Sequence, residues 1–122
     1  MSRENTEVEA ETLRAIICER LTDITFLMDY LALGFDGPSL TCVTVPVVLV
    51  GGKEIGWFDP GYRDELCKRI ARHVVDVRIV PADSLQIDFE DGAAFRVSLK
   101  PEDYTPAGEA VRFNNQEVWW VL

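Results

Sequence analysis

The chain has 122 residues, 48% of them hydrophobic and 27% charged, and its 21 acidic and 12 basic side chains leave a formal net charge of −9. This size and composition suit one soluble domain over residues 1–122, with enough apolar mass for a core that needs no disulfide staples. The acid excess repels phosphate backbones and anionic bilayers, and no apolar run approaches the roughly eighteen residues of a membrane span, so neither nucleic acid nor membrane is expected as a partner.

At the N-terminus, Thr6 and Glu9 have capping-box spacing, and Val8, Leu13, Ile16 and Ile17 recur at helical intervals. They predict a helix from Glu7 to Cys18 or Arg20. Two strand-like runs follow, Ile24–Met28 and Tyr30–Phe35, then a turn at Asp36, Gly37, Pro38 and Ser39. The extended segment Leu40–Val50 is interrupted by Pro46, which cannot donate to a ladder, so the segment either breaks there or lies at a sheet edge. Gly51 and Gly52 make a turn, Ile55–Phe58 a short strand, and Asp59-Pro60 an N-cap with proline at the first helical position. A second helix is expected from Pro60 or Tyr62 to His73. It would turn Leu66, Cys67, Ile70, Ala71 and Val74 inward and carry the outer pairs Asp64–Lys68 and Glu65–Arg69, with His73 closing its last turn.

Strand Val74–Val80 leads into the most strongly patterned stretch. Leu85, Ile87 and Phe89 alternate with polar residues, and after Gly92 so do Phe95, Val97 and Leu99, which predicts a hairpin with one apolar face. A two-residue loop at Asp91-Gly92 would put Ile87 opposite Arg96 and split the apolar set between faces. A three-residue loop, Glu90 to Gly92, instead opposes Phe89 to Ala93, Ile87 to Phe95 and Leu85 to Val97, with Gly92 in the left-handed conformation. Lys100–Gly108 has no periodicity, and Val111–Phe113 with Glu117–Val121 reads as a terminal hairpin.

The chain echoes itself. Ile17–Leu21 resembles Leu66–Ile70, Asp23–Phe26 resembles Asp76–Ile79, and Leu31–Gly37 resembles Leu85–Gly92. The fold class that follows is α+β: two helices on a largely antiparallel sheet, from pseudo-duplication of a helix-plus-β-meander unit.

Chemistry-bearing patterns are sparse. Cys18, Cys42 and Cys67 show no close pairing, His73 is the one histidine, and no C-x-x-C or H-x-x-x-H spacing occurs, so no metal site, nucleophile or catalytic residue is assigned. Free, mostly buried thiols and the polar, acidic N-terminal residues point to a reducing cytoplasm. Asp88 and Glu90 share a solvated strand face, with Arg96 diagonal to Asp88. Gly51-Gly52-Lys53 lacks the spacing of a phosphate loop, and no cofactor is implied. Aromatics are the more informative feature. Trp119 and Trp120 break the strand alternation, so one indole faces away from the side on which the other packs, and Trp57-Phe58 repeats the doublet ahead of the second helix. Trp57, Tyr62, Tyr104 and Trp120 are the candidate interface residues.

The segments Asp59–Cys67, Phe89–Gly92, Val97–Asp103 and Gly108–Ala110 ahead of Phe113 resemble a family of small, uncharacterised bacterial domains, of the kind grouped as domains of unknown function. The resemblance covers residues 59–122. It departs from the pattern at Ala71, where similar sequences favour glycine, and at Pro106–Glu109, where they carry Gly-Pro-Glu. It implies a compact α+β domain and carries over no catalytic residue.

The expected function is that of a non-enzymatic, acidic, cytoplasmic interaction module that binds a basic protein partner. The alternatives are a structural or homodimeric module, in contact through the Trp119–Trp120 strand or the Pro46 edge, and a small-molecule binder or enzyme. The last would have a pocket near Trp57, Tyr62 and His73 with Lys100–Gly108 as its lid.

Overall fold

The computed structural model describes residues 7–103, 109–115 and 118–122. Helix α1 (Glu7–Leu13) places Glu7 and Glu9 at its positive end and tightens into a 3-10 turn over Arg14–Ile16. It stops short of the expected Cys18–Arg20 because Ile17 is already extended, with ψ 134°. Thr6, half of the expected capping box, lies outside the described residues. The strands are β1 (Asp23–Phe26), β2 (Leu31–Gly34), β3 (Ser39–Cys42), β4 (Val47–Val50) and β5 (Lys53–Ile55) in the first half of the chain. Helix α2 (Tyr62–Cys67) is followed by β6 (Val74–Val80), β7 (Ser84–Phe89), β8 (Ala94–Ser98), a 3-10 turn over Pro101–Asp103, β9 (Val111–Asn115) and β10 (Val118–Val121).

These strands form two five-stranded antiparallel sheets, ordered β1-β2-β3-β9-β10 (sheet one) and β5-β4-β8-β7-β6 (sheet two). Each sheet is a three-strand meander from one half of the chain extended by a hairpin from the other half. The register repeats along with the topology: Ile24↔Leu33 answers to Val77↔Ile87, and Leu33↔Leu40 to Ile87↔Phe95. Across the exchanged hairpins, Leu40↔Phe113 answers to Phe95↔Val48, and Phe113↔Trp120 to Val48↔Ile55. The halves meet in a reciprocal set of backbone bonds. Cys18 N–H to Val74 C=O (2.8 Å) mirrors Ala71 N–H to Leu21 C=O (2.7 Å), and Leu21 N–H to Arg72 C=O (3.0 Å) mirrors Val74 N–H to Glu19 C=O (2.9 Å).

This correspondence matches Asp23–Phe26 with Asp76–Ile79 and Leu31–Gly37 with Leu85–Gly92, as the sequence echo predicts. It corrects the first pair of segments by about one helical turn. Leu66 answers to Leu13 and Ala71 to Cys18; the latter two both sit in the left-handed region, at φ 77° and 73°. Here a Cβ is carried where glycine is the easier residue.

Pro46 marks the point where the chain leaves sheet one for sheet two, so the long apolar run breaks there rather than continuing as one strand. One contiguous core gathers Leu13 and Ile16, Tyr62 and Leu66, and the inward residues of both sheets, including Leu33, Phe35, Leu40, Phe113, Val48, Ile87, Phe89 and Phe95. The edge strand β6 is protected by a register shift between Val74 and Asp76 and by its charged Asp76 and Arg78.

Helix α2 is much shorter than the expected span to His73. Beyond Cys67 the chain turns, passes through Ala71 at positive φ and pairs with the segment after α1, and this tertiary pairing overrides the helical spacing. Leu66 and Val74 are buried as expected, whereas Cys67, Ile70 and Ala71 are exposed. The β7–β8 hairpin has the predicted register: Leu85↔Val97, Ile87↔Phe95, and Phe89 N–H to Ala93 C=O at 2.9 Å. Gly92 has φ 87° with open space where a Cβ would point, so conformation alone selects it. Gly92→Val is expected to destabilise the protein by about 1–2 kcal/mol in urea melts, and Gly92→Asn by well under half of that.

Candidate functional site

The structure separates the aromatic residues into supports and surface. Gly56 N–H donates to Asp59 Oδ2 (2.8 Å), and Asp59 N–H to Gly56 C=O (2.9 Å), so Asp59 closes the turn before α2. That corrects its expected role as helix N-cap: Gly61, at φ 82°, precedes the first helical residue and no side chain caps it. Tyr62 turns inward, 1% exposed, and its hydroxyl donates to Pro46 C=O (2.5 Å), satisfying a carbonyl at the crossing between sheets. Burial, with Cys42 nearby, pushes the Tyr62 hydroxyl pKa well up.

Trp57, half-buried, packs 5.8 Å from Tyr62 with the rings tilted by 55°. The next residue along α2, Arg63, holds its guanidinium 5.2 Å from the centre of the Trp57 ring and 5.7 Å from that of Phe26. Both distances are within cation–π range, and the three residues tie the end of β1 to the start of α2. On either side the surface is apolar and open: Phe58 is 95% exposed and Met28 94% exposed, while Phe26 and Leu27 are partly so. Asp29, Asp59 and Asp64 are exposed on the same segments, with Arg63 their basic neighbour. A depression of about 260 Å³ lies over Asp59–Asp64; neither Trp57 nor His73 lines it.

The second doublet resolves the same way. Trp120 points into the core, stacked 5.2 Å from Phe113, and its Nε1–H donates to Thr12 Oγ1 of α1 (2.7 Å). Trp119 is 75% exposed. Of the four candidate interface residues, Trp57 alone reaches the surface among those described; Tyr62 and Trp120 are core residues, and Tyr104 lies outside the described residues. The sequence signal for Trp119 is the doublet itself, which leaves either both strand faces covered or one indole exposed; Phe58 lies in a turn beyond β5 rather than in the expected strand Ile55–Phe58, where alternation gives no signal.

The titratable groups are engaged structurally. His73 lies beyond α2, not in its last turn; its backbone N–H donates to Glu90 Oε2 (2.7 Å), and its Nδ1 lies 2.9 Å from the same oxygen. The backbone bond first, then the ring contact, hold the Glu90 carboxyl below the usual carboxylate range. Asp88 is met by Arg78 (3.4 Å) and Gln86 (2.8 Å), whereas Arg96 pairs across the strand with Glu54 instead. Lys68 likewise pairs with Glu65 (2.8 Å) rather than with Asp64. The Cys42 thiol is buried, and desolvation raises its pKa to about 12, while Cys18 and Cys67 are exposed, against the expectation of mostly buried thiols.

Among the described residues, no group of three or more His, Cys, Asp or Glu side chains is arranged to hold a metal ion, and no helix is long and apolar enough to cross a membrane. Comparison with protein families, curated proteins and solved structures finds no match to the chain.

Proposed function

We propose that the protein is a non-enzymatic interaction module that docks a basic protein partner on the surface formed by Phe26, Met28, Trp57, Phe58 and Arg63. The observation that carries this reading is Phe58, an exposed phenyl ring beside a Trp–Arg–Phe stack whose members are already held in place. Tryptophan and arginine are enriched among interface hot spots, and side chains already held in place lose little further entropy on binding. The −9 charge of the chain and the neighbouring Asp29, Asp59 and Asp64 favour a partner with an apolar centre and a basic rim. A cytoplasmic setting and kinship with the small bacterial domains noted above belong to the same proposal.

The test is capture from native lysate at low and high salt, followed by reconstitution with the purified basic protein that is retained. Phe58→Glu should weaken that complex by about tenfold or more, and Asp64→Asn should mainly slow its association. Trp119→Ala, on another face, should leave it unchanged. If no basic protein is retained at either salt, or if its affinity is indifferent to Phe58→Glu, the proposal fails.

A further inference from the structure

The outward face of sheet one differs from its counterpart on sheet two in a way the shared architecture does not require. Across β3, β9 and β10 the register sets Ser39, Asn114 and Trp119 in one outward row, and Thr41, Arg112 and Val121 in the next. In the repeated topology Thr41 answers to Arg96 and Trp119 to Glu54, and those two close the surface of sheet two as an ion pair. Sheet one has a hydroxyl and an indole at these places. The result is a groove of about 410 Å³ lined by Ser39, Thr41, Arg112, Asn114 and Trp119.

The charges at the groove cancel locally: Arg112 Nε pairs with Glu109 Oε1, and the Glu109 side chain is only 16% exposed. Neither an anion nor a cation is therefore selected. An apolar ligand would strip water from Asn114, Arg112 and the two hydroxyls without replacing their hydrogen bonds. A phosphate-bearing ligand would meet the −9 charge of the chain. What suits the site is a neutral molecule with a flat C–H face to lie on the indole and a hydroxylated edge for the amide, guanidinium and hydroxyl groups. The volume is within the about 300–1,000 Å³ usual for small-molecule sites.

We infer that this groove is a carbohydrate site, which stacks a pyranose ring of a neutral oligosaccharide on Trp119 and reads its hydroxyls with Asn114, Arg112, Ser39 and Thr41. It shares no residue with the Phe58 surface, so the two proposals stand or fall separately.

The full-length protein would be titrated with cellotetraose, maltotetraose, chitotetraose and mannotetraose while the indole N–H resonances are followed by NMR. At least one is expected to bind at millimolar concentration or below, shifting the Trp119 resonance and leaving that of Trp120 in place. Trp119→Ala should weaken binding by about tenfold or more, the scale of losing one stacking platform. Thr41→Arg, which installs the residue that sheet two accommodates at the same place, should block binding while the thermal melt stays unchanged. Three outcomes would overturn the inference: no shift with any of the four sugars, binding that survives Trp119→Ala, or a Trp119 resonance that moves with protein concentration alone, as occlusion by a second copy would produce.

Discussion

Phe95→Ala should lower the stability of the protein by about 3–5 kcal/mol, read as a shift of the urea midpoint at unchanged m-value. Phe95 is fully buried, opposes Ile87 on β7 and Val48 on β4, and meets Phe89 edge-on with ring centres 4.8 Å apart. It is therefore held on one side by its own meander and on the other by a hairpin from the first half of the chain. A cavity at this seam can close only if two segments distant in sequence shift together, so little of the lost packing would be recovered. Phe95→Leu is the informative companion, because Leu40 fills the equivalent position of the other sheet. It should cost about 1–2 kcal/mol. A loss below about 1 kcal/mol for the alanine variant would mean that β8 does not occupy the centre of its sheet.

The β7–β8 hairpin was also the part of the fold most legible in the sequence. Alternation over Leu85–Leu99, together with one glycine, was enough to choose a three-residue loop over a two-residue one, since the wrong choice would have turned half the apolar residues outward. Pro46 signalled a break or a sheet edge for an equally local reason, and the chain breaks there. The echo between the halves was legible in its meanders, because strand alternation is short-ranged, and misplaced at its helices. There the segments Ile17–Leu21 and Ile70–Val74 owe their conformation to each other, through the bonds that join Cys18, Glu19 and Leu21 to Ala71, Arg72 and Val74, rather than to their own periodicity. The exchange of hairpins between sheets has no local signature at all: β4 and β9 would read identically paired to either meander.

The surface was legible only as a choice left open. Trp119-Trp120 left either both strand faces covered or one indole exposed, and the outcome was decided by which residue opposes Phe113 and reaches Thr12. Tyr62 reads from the sequence as an interface candidate, but its hydroxyl is the group that satisfies the Pro46 carbonyl. Phe26, Trp57 and Arg63 come together from the end of β1 and the approach to α2, so no window of sequence contains their stack.

Arg69→Ala is expected to destabilise the protein by about 2–4 kcal/mol, although the sequence suggested only an outer helical pair with Glu65. The Arg69 side chain is 6% exposed; its Nη1 donates to Glu65 C=O (2.9 Å) and reaches Glu65 Oε1 (3.1 Å). Its Nε lies 3.3 Å from Asp91 Oδ2 but is not aligned as a hydrogen bond, so Asp91 holds it by charge more than by geometry. The equivalent position in the first half is the buried Ile16, which shows that the site itself accepts an apolar side chain. Arg69→Met should therefore keep the packing, lose the link between α2 and the β7–β8 turn, and cost less than half as much as alanine. The pH dependence separates charge from packing. A hydrogen bond from Lys68 and, more weakly, one from Arg69 hold the Glu65 carboxyl below its ordinary range. A depressed carboxyl contributes stability above its unfolded-state pKa and loses it as pH falls through the folded-state value. Both Arg69 variants should thus lose less stability on acidification than the wild type, with the acid limb flattened alike in each. Equal acid sensitivity in all three proteins would mean that Arg69 acts at this site as a spacer and not as a charge.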